Sequence, residues 1–135
     1  MLRQISSHLI RRWRWILVIA QFLAVIGFLI SVGGFYQPDT DFTRLIAFGS
    51  RFAEQALPEV RVVPHVILEN PDGYDGQFYV QVAMDPMLRD PALQVAIDNF
   101  NYRARQILMP AVAHIVGMGR PAWVLQADTL LNVVC

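Results

Sequence analysis

From Trp15 to Tyr36 the chain carries no charge, and only Gln21 and Ser31 interrupt an otherwise apolar run. About 20 such residues in a helix cross the ~30 Å hydrocarbon core of a bilayer, so part of this molecule is built for lipid. A cleaved signal peptide would also follow arginines. Its apolar core is usually about 7–15 residues and ends at small residues. Here the core is longer, Ser31-Val32-Gly33 is the one plausible cleavage site, and a retained anchor is the expectation adopted.

The flanks orient that anchor. Arg3, Arg11, Arg12 and Arg14 precede it with no acid among them, and every Asp and Glu follows it. The positive-inside rule puts the N-terminus in the cytoplasm, and Trp13, Trp15 and Tyr36 fall where the two interfaces would lie. The formal net charge of zero therefore conceals a basic tip and a slightly acidic remainder. His8, among the arginines, would add to contacts with anionic headgroups. One cysteine, Cys135, gives neither a disulfide framework nor a Cys-x-x-Cys metal motif.

Beyond the span, short helices are expected rather than strands. Asp41 would cap a helix carrying Phe42, Leu45, Ile46, Phe52, Ala53, Ala56 and Leu57 on one stripe, suited equally to a membrane surface or a core, with Pro58 ending it. Residues 61–68 read as an extended piece leading to the turn Asn70-Pro71-Asp72-Gly73. Tyr74-Asp75-Gly76 opens a helix with Phe78 and Val82, and Tyr79 and Ala83, four apart, ending near Asp85-Pro86. Asp90-Pro91 would start a short helix through Ile97, and Asp98-Asn99 would end it. A longer helix is expected from Tyr102 to Gly117, punctuated by Pro110.

A last apolar helix from Pro121 to Cys135 would rise only about 22 Å and carries Gln126, Asp128, Thr129 and Asn132. Such groups cost several kcal/mol facing lipid unless other helices cover them. The expected architecture is an all-α membrane protein with a basic cytoplasmic N-terminus (1–14) and one transmembrane helix (15–36). An extracytoplasmic loop of short amphipathic helices (37–101), an interfacial or re-entrant helix (102–118) and the start of a second transmembrane helix (121–135) follow. It reads as a fragment of a larger helical bundle, completed by further helices of the same protein or by a partner membrane subunit.

Taken by spacing alone, most polar residues have plain roles. Asp75 reads as an N-cap worth about 1 kcal/mol. Asp85 before Pro86 and Asp72 before Gly73 read as turn formers, and Phe78 and Tyr79 as packing groups. His65 and His114 stand isolated, so no metal site is legible. Asp128, with Asn132 one turn later in an apolar helix, is either wet near the interface or a polar pair inside the membrane.

The stretch Tyr74-Asp75-Gly76-Gln77-Phe78-Tyr79-x-Gln81-x-Ala83-x-Asp85-Pro86, with Asp98-Asn99 and Tyr102-Arg103-x-Arg105-x-Ile107-Leu108-x-Pro110 after it, resembles bacterial polytopic membrane proteins that build cell-surface glycopolymers. It is similar to the GT-C glycosyltransferases, whose first extracytoplasmic loop bears an aromatic-Asp-Gly/Ala pattern. The resemblance implies that Asp75 is a general base in an inverting transfer, taking the acceptor hydroxyl's proton as its oxygen attacks a polyprenyl-phosphate-linked sugar. It implies phosphate contacts from Arg103 and Arg105, a sugar platform at Tyr79, and Gln77 and Asp85 as further substrate-binding residues. The family segment is richer in arginine and tyrosine where this chain has Ala104, Gln106 and Met109. The implied setting is the bacterial inner membrane. Its partners would be membrane lipid and the lipid-linked sugar, with no nucleic acid, no cofactor and no readable divalent metal, and this stretch alone would be inactive. The alternative is a small single-span protein serving as a structural or interaction subunit of a larger membrane complex.

Overall fold

The computed structural model describes residues 2–134, with side chains described from 13 to 133. Met1 and Cys135 lie outside the described residues, as do the side-chain roles expected of Arg3, His8, Arg11 and Arg12. The chain forms two units, 1–34 and 35–135, and is mostly helical.

The first unit is a single helix, α1 (Leu2–Gly33). Within it Trp13–Gly33 is the one described helix long and apolar enough to cross a membrane. Its 21 residues rise about 31 Å. The apolar stretch thus begins and ends slightly before the expected 15–36, because Gly33-Gly34 closes the helix and Tyr36 lies beyond it. Side chains such as Trp15, Leu23 and Ile30 are exposed all round. Each Leu, Ile or Phe left in water forfeits about 1.5–3 kcal/mol, so a hydrocarbon medium is favoured by tens of kcal/mol over the helix.

The second unit is built around α4 (Gly76–Met84), α7 (Leu108–Val116) and α8 (Pro121–Val134). Buried residues follow one another along α4, from Gln77 and Phe78 through Val80 to Ala83, so it is a central helix covered on most sides. Phe48, Leu57, Val60, Leu93 and Leu125 complete the main core around it. Ala83, Ala113, Val124 and Ala127 form a second, small-residue cluster where α4, α7 and α8 meet.

Several local expectations change. The single helix over 41–57 is replaced by a 3-10 turn (Thr43–Leu45), a two-residue strand β1 (Phe48–Gly49) and a one-turn helix α2 (Ser50–Ala53). Asp41 and Ala47 take φ of 51° and 59°, outside the right-handed helical region, and so break the run. The stripe residues Ile46, Ala56 and Leu57 face the core of this unit. Pro58 begins a helix, α3 (Pro58–Arg61), where its missing N–H is harmless. Extended structure survives only in β2 (Ile67–Leu68), which pairs parallel with β1.

The turn at 70–73 packs directly on β1. Gly73 has φ +61°, and a Cβ there would stand 2.6 Å from the Ala47 carbonyl oxygen, so only glycine fits. α4 begins and ends where the sequence suggests. α5 (Leu93–Ala96) is a single turn, preceded by a bend in which Asp90 Oδ1 accepts from the Ala92 N–H at 2.8 Å. The helix expected from Tyr102 is two helices, α6 (Phe100–Ala104), capped by Asn99, and α7. Pro110 explains the break: it lacks an N–H and its ring would clash with the Gln106 carbonyl, so it sits in the first turn of a new helix.

α8 packs on α4 and α7, and three of its polar residues find partners within this chain. Gln126 Oε1 accepts from the Phe42 N–H, Thr129 donates to the Leu125 carbonyl, and Asn132 donates to the Asp128 carbonyl. Asp128 is buried rather than wet.

Candidate functional site

Asp75 sits at the start of α4, in helical conformation, and its side chain makes no capping bond. Instead its Oδ1 accepts from Arg103 Nη2 at 2.8 Å while the carboxylate stays 69% exposed. Asp75 therefore serves as the ion partner of an arginine 28 residues away rather than as the cap that spacing suggested.

Arg103 reaches that position from α6, which Asn99 starts by accepting the Tyr102 N–H at 3.1 Å. Its guanidinium side chain is only 4% exposed and is satisfied from several directions. Asp98 takes it bidentately, with Nε on Oδ1 at 2.9 Å and Nη2 on Oδ2 at 2.8 Å. Nη1 donates to the Tyr79 hydroxyl at 3.1 Å, and the group lies 4.9 Å from the Phe78 ring centre. The Arg103 hydrogen bonds hold the Asp75 and Asp98 carboxyls below the usual carboxylate range, against the opposing effect of burial, and the two acids raise the arginine further. All three groups are charged at neutral pH. With four of the five guanidinium N–H donors committed, Arg103 anchors Asp75 and has little left for a phosphate.

Tyr79, one turn along α4, donates its hydroxyl proton to Gln106 Oε1. Beside it opens a cleft of about 290 Å³, lined by Asp75, Tyr79, Asp128, Thr129 and Asn132 among others. A separate, smaller recess of about 110 Å³ lies between Tyr79, Gln106, Asp128 and Asn132. Asp128 is 1% exposed, and burial alone pushes its carboxyl up to about 7. Asn132 reaches its Oδ2 at 3.3 Å, but Oδ1 is buried with no hydrogen-bond partner.

Other residues implied by the resemblance lie elsewhere. Gln77 is buried, with Oε1 accepting from the Gly49 N–H at 2.9 Å and Nε2 donating to the Asp72 carbonyl at 2.6 Å, so it staples β1 and the 70–73 turn to α4. Its two polar ends are occupied by backbone. Asp85 is at the far end of α4, about 15 Å along the axis from Asp75, where Oδ2 accepts from the Asp90 N–H at 2.7 Å and closes a turn. Arg105 is exposed and makes no ion pair among the described residues. No cluster of three metal-ligating side chains exists among the described residues.

Two members of the site escaped the sequence. Asp98 reads as a helix terminator, yet it is the principal partner of Arg103. Asp128 carried a signal, an acid in an apolar helix, but not its address beside Asp75. No protein-family model matches this chain, and neither a curated protein nor a solved structure matches it.

Proposed function

We propose that the cleft beside Asp75 is the acceptor end of a sugar-transfer site in a membrane glycosyltransferase of the GT-C kind, working on a polyprenyl-phosphate-linked sugar at the extracytoplasmic face of a bacterial inner membrane. The observation that carries this reading is the arrangement of Asp75 itself. It is an ionised carboxylate that does not cap its helix, is fixed through one oxygen by a buried arginine, and borders a cleft.

In the reaction, the acceptor hydroxyl donates a hydrogen bond to Asp75. As its oxygen bonds to the anomeric carbon, the bond from that carbon to the lipid phosphate breaks and its electron pair leaves with the phosphate. The hydroxyl proton passes to Asp75 and from there to solvent. A carboxylate held below its usual range is a weak base towards a free alcohol. It becomes an adequate one when the attacking oxygen turns acidic in the transition state, and it stays ionised at every physiological pH. Arg103 orients this base. Arg105, exposed and unpaired among the described residues, is the residue of the expected pair left to meet a phosphate.

The decisive variant is Asp75→Asn, assayed for surface-glycan formation in native membranes with the amount of protein in the membrane measured alongside. Asparagine keeps an oxygen for Arg103 and removes the proton acceptor. Glycan formation should fall by about 10²–10⁴-fold at unchanged abundance. Unchanged glycan would sink the assignment.

A further inference from the structure

We infer that Asp128 is a second ligand-contacting carboxyl of the cleft, and that the acceptor bound there is a polyhydroxylated molecule, a sugar residue rather than a simple alcohol or a protein hydroxyl. The inference rests on the sugar-transfer reading of Asp75 and adds to it the chemical class of the acceptor.

The geometry begins with an imbalance on α8. Gln126, Thr129 and Asn132 each have a partner within the chain, whereas the Oδ1 of Asp128 is buried and has none. Buried polar atoms are nearly always hydrogen-bonded, and an unpartnered carboxyl oxygen is among the least favourable arrangements a core can hold. Folding gains nothing from it, since a group of the same size with no unpaired charge would sit there without the penalty. What Asp128 does have is a place among the residues that line both the Asp75 cleft and the smaller recess.

The chemistry of that wall selects the ligand. Asp75 and Asp128 are two oxygen-rich acceptors, Asn132 and Tyr79 are neutral polar groups, and among the described residues no cation with free donors lines the cleft. A phosphate is disfavoured there, so the lipid-linked donor must place its charge elsewhere. A ligand with one hydroxyl would satisfy Asp75 and leave Asp128 bare. A sugar offers the reacting hydroxyl to Asp75 and another to Asp128. Because burial brings the Asp128 carboxyl to about 7, it both donates and accepts near neutrality while Asp75 stays an acceptor only, two carboxyls with separate tasks. The volume agrees: about 290 Å³ lies at the lower end of ligand pockets, roughly 300–1,000 Å³, and suits one ring rather than an oligosaccharide.

The test uses the whole chain in lipid nanodiscs, probed by saturation-transfer NMR with mannose, galactose, N-acetylglucosamine and ribose, and with n-propanol as the single-hydroxyl control. At least one monosaccharide should bind to the wild type and propanol should not. Asp128→Asn and Asp128→Leu should weaken sugar binding at least tenfold. Thermal unfolding supplies the second readout: the near-isosteric Asp128→Asn should raise Tm by a few degrees, as when a residue kept for function is exchanged for one without its penalty. Failure of every monosaccharide to bind, undiminished binding in both Asp128 variants, or a lower Tm in Asp128→Asn would overturn the inference. The base assignment is judged separately, by turnover in Asp75→Asn, so either idea can fail while the other stands.

Discussion

Arg103 is the residue on which the site turns, and its two acids hold it unequally. Asp98 supplies both carboxylate oxygens to it and is 37% exposed, whereas Asp75 supplies one and is 69% exposed. Removing a partner from a buried charge costs up to about 3–5 kcal/mol, less where water reaches the gap. Asp98→Ala should therefore destabilise the unit by about 2–3 kcal/mol in thermal or urea unfolding, and Asp75→Asn by under about 1 kcal/mol. The reverse order would show that Asp75 is the structural acid. The pH response divides the same way. Both partners of Arg103 have lowered values, so their contribution is intact above about pH 4 and is lost as pH falls below it. Asp128 behaves oppositely: raised to about 7, it binds a proton in the folded state that the unfolded chain has released. Stability should then fall by a few kcal/mol between about pH 4 and 7 and level off above. Asp128→Asn should flatten that slope, Asp75 and Tyr79 being the other titratable groups on the same cleft. An unchanged slope would assign it elsewhere.

At the scale of elements, the sequence reveals α4 almost to the residue, because turn residues bracket it and apolar residues recur at helical spacing. It misreads residues 41–57, where the apolar spacing is helical but Asp41 and Ala47 adopt positive φ and β1 intervenes, and no pattern within those residues announces pairing with Ile67 and Leu68. Pro110 is read as punctuation inside a helix and turns out to separate two. Gln77 shows why site residues are harder still. A glutamine beside an acid in a family-like motif looks available to substrate, but its ends are taken by the Gly49 N–H and the Asp72 carbonyl, contacts that only tertiary structure creates. Gln77→Leu would leave both backbone groups unpaired. It should cost about 2–4 kcal/mol, measured by unfolding, with the loss of a buried hydrogen bond at each end as the cause. A change below about 0.5 kcal/mol would show that the 70–73 turn holds β1 without it.

Across the whole molecule, the apolar helix Trp13–Gly33 and the compact second unit follow different solvents. The first has no buried face and the second has a core of its own. Length, lack of charge and flanking arginines make the helix legible from composition. The interior of the second unit is less so, because its core draws on positions from Ile46 to Leu125 that no local pattern joins. Leu23→Arg, near the middle of the apolar stretch, should weaken membrane insertion by about 3 kcal/mol. Carbonate extraction of membranes would then release the variant while wild type stays in the pellet, and equal retention would argue against a spanning helix. The depth of Arg103 has one more consequence. Dissolved ions screen exposed charges over about 8–10 Å but hardly reach a guanidinium that is 4% exposed. Ionic strength therefore sorts the two arginines of this segment: the tether on Asp75 should respond only weakly to added salt, through its exposed carboxylate, and Arg105, exposed, should respond more strongly.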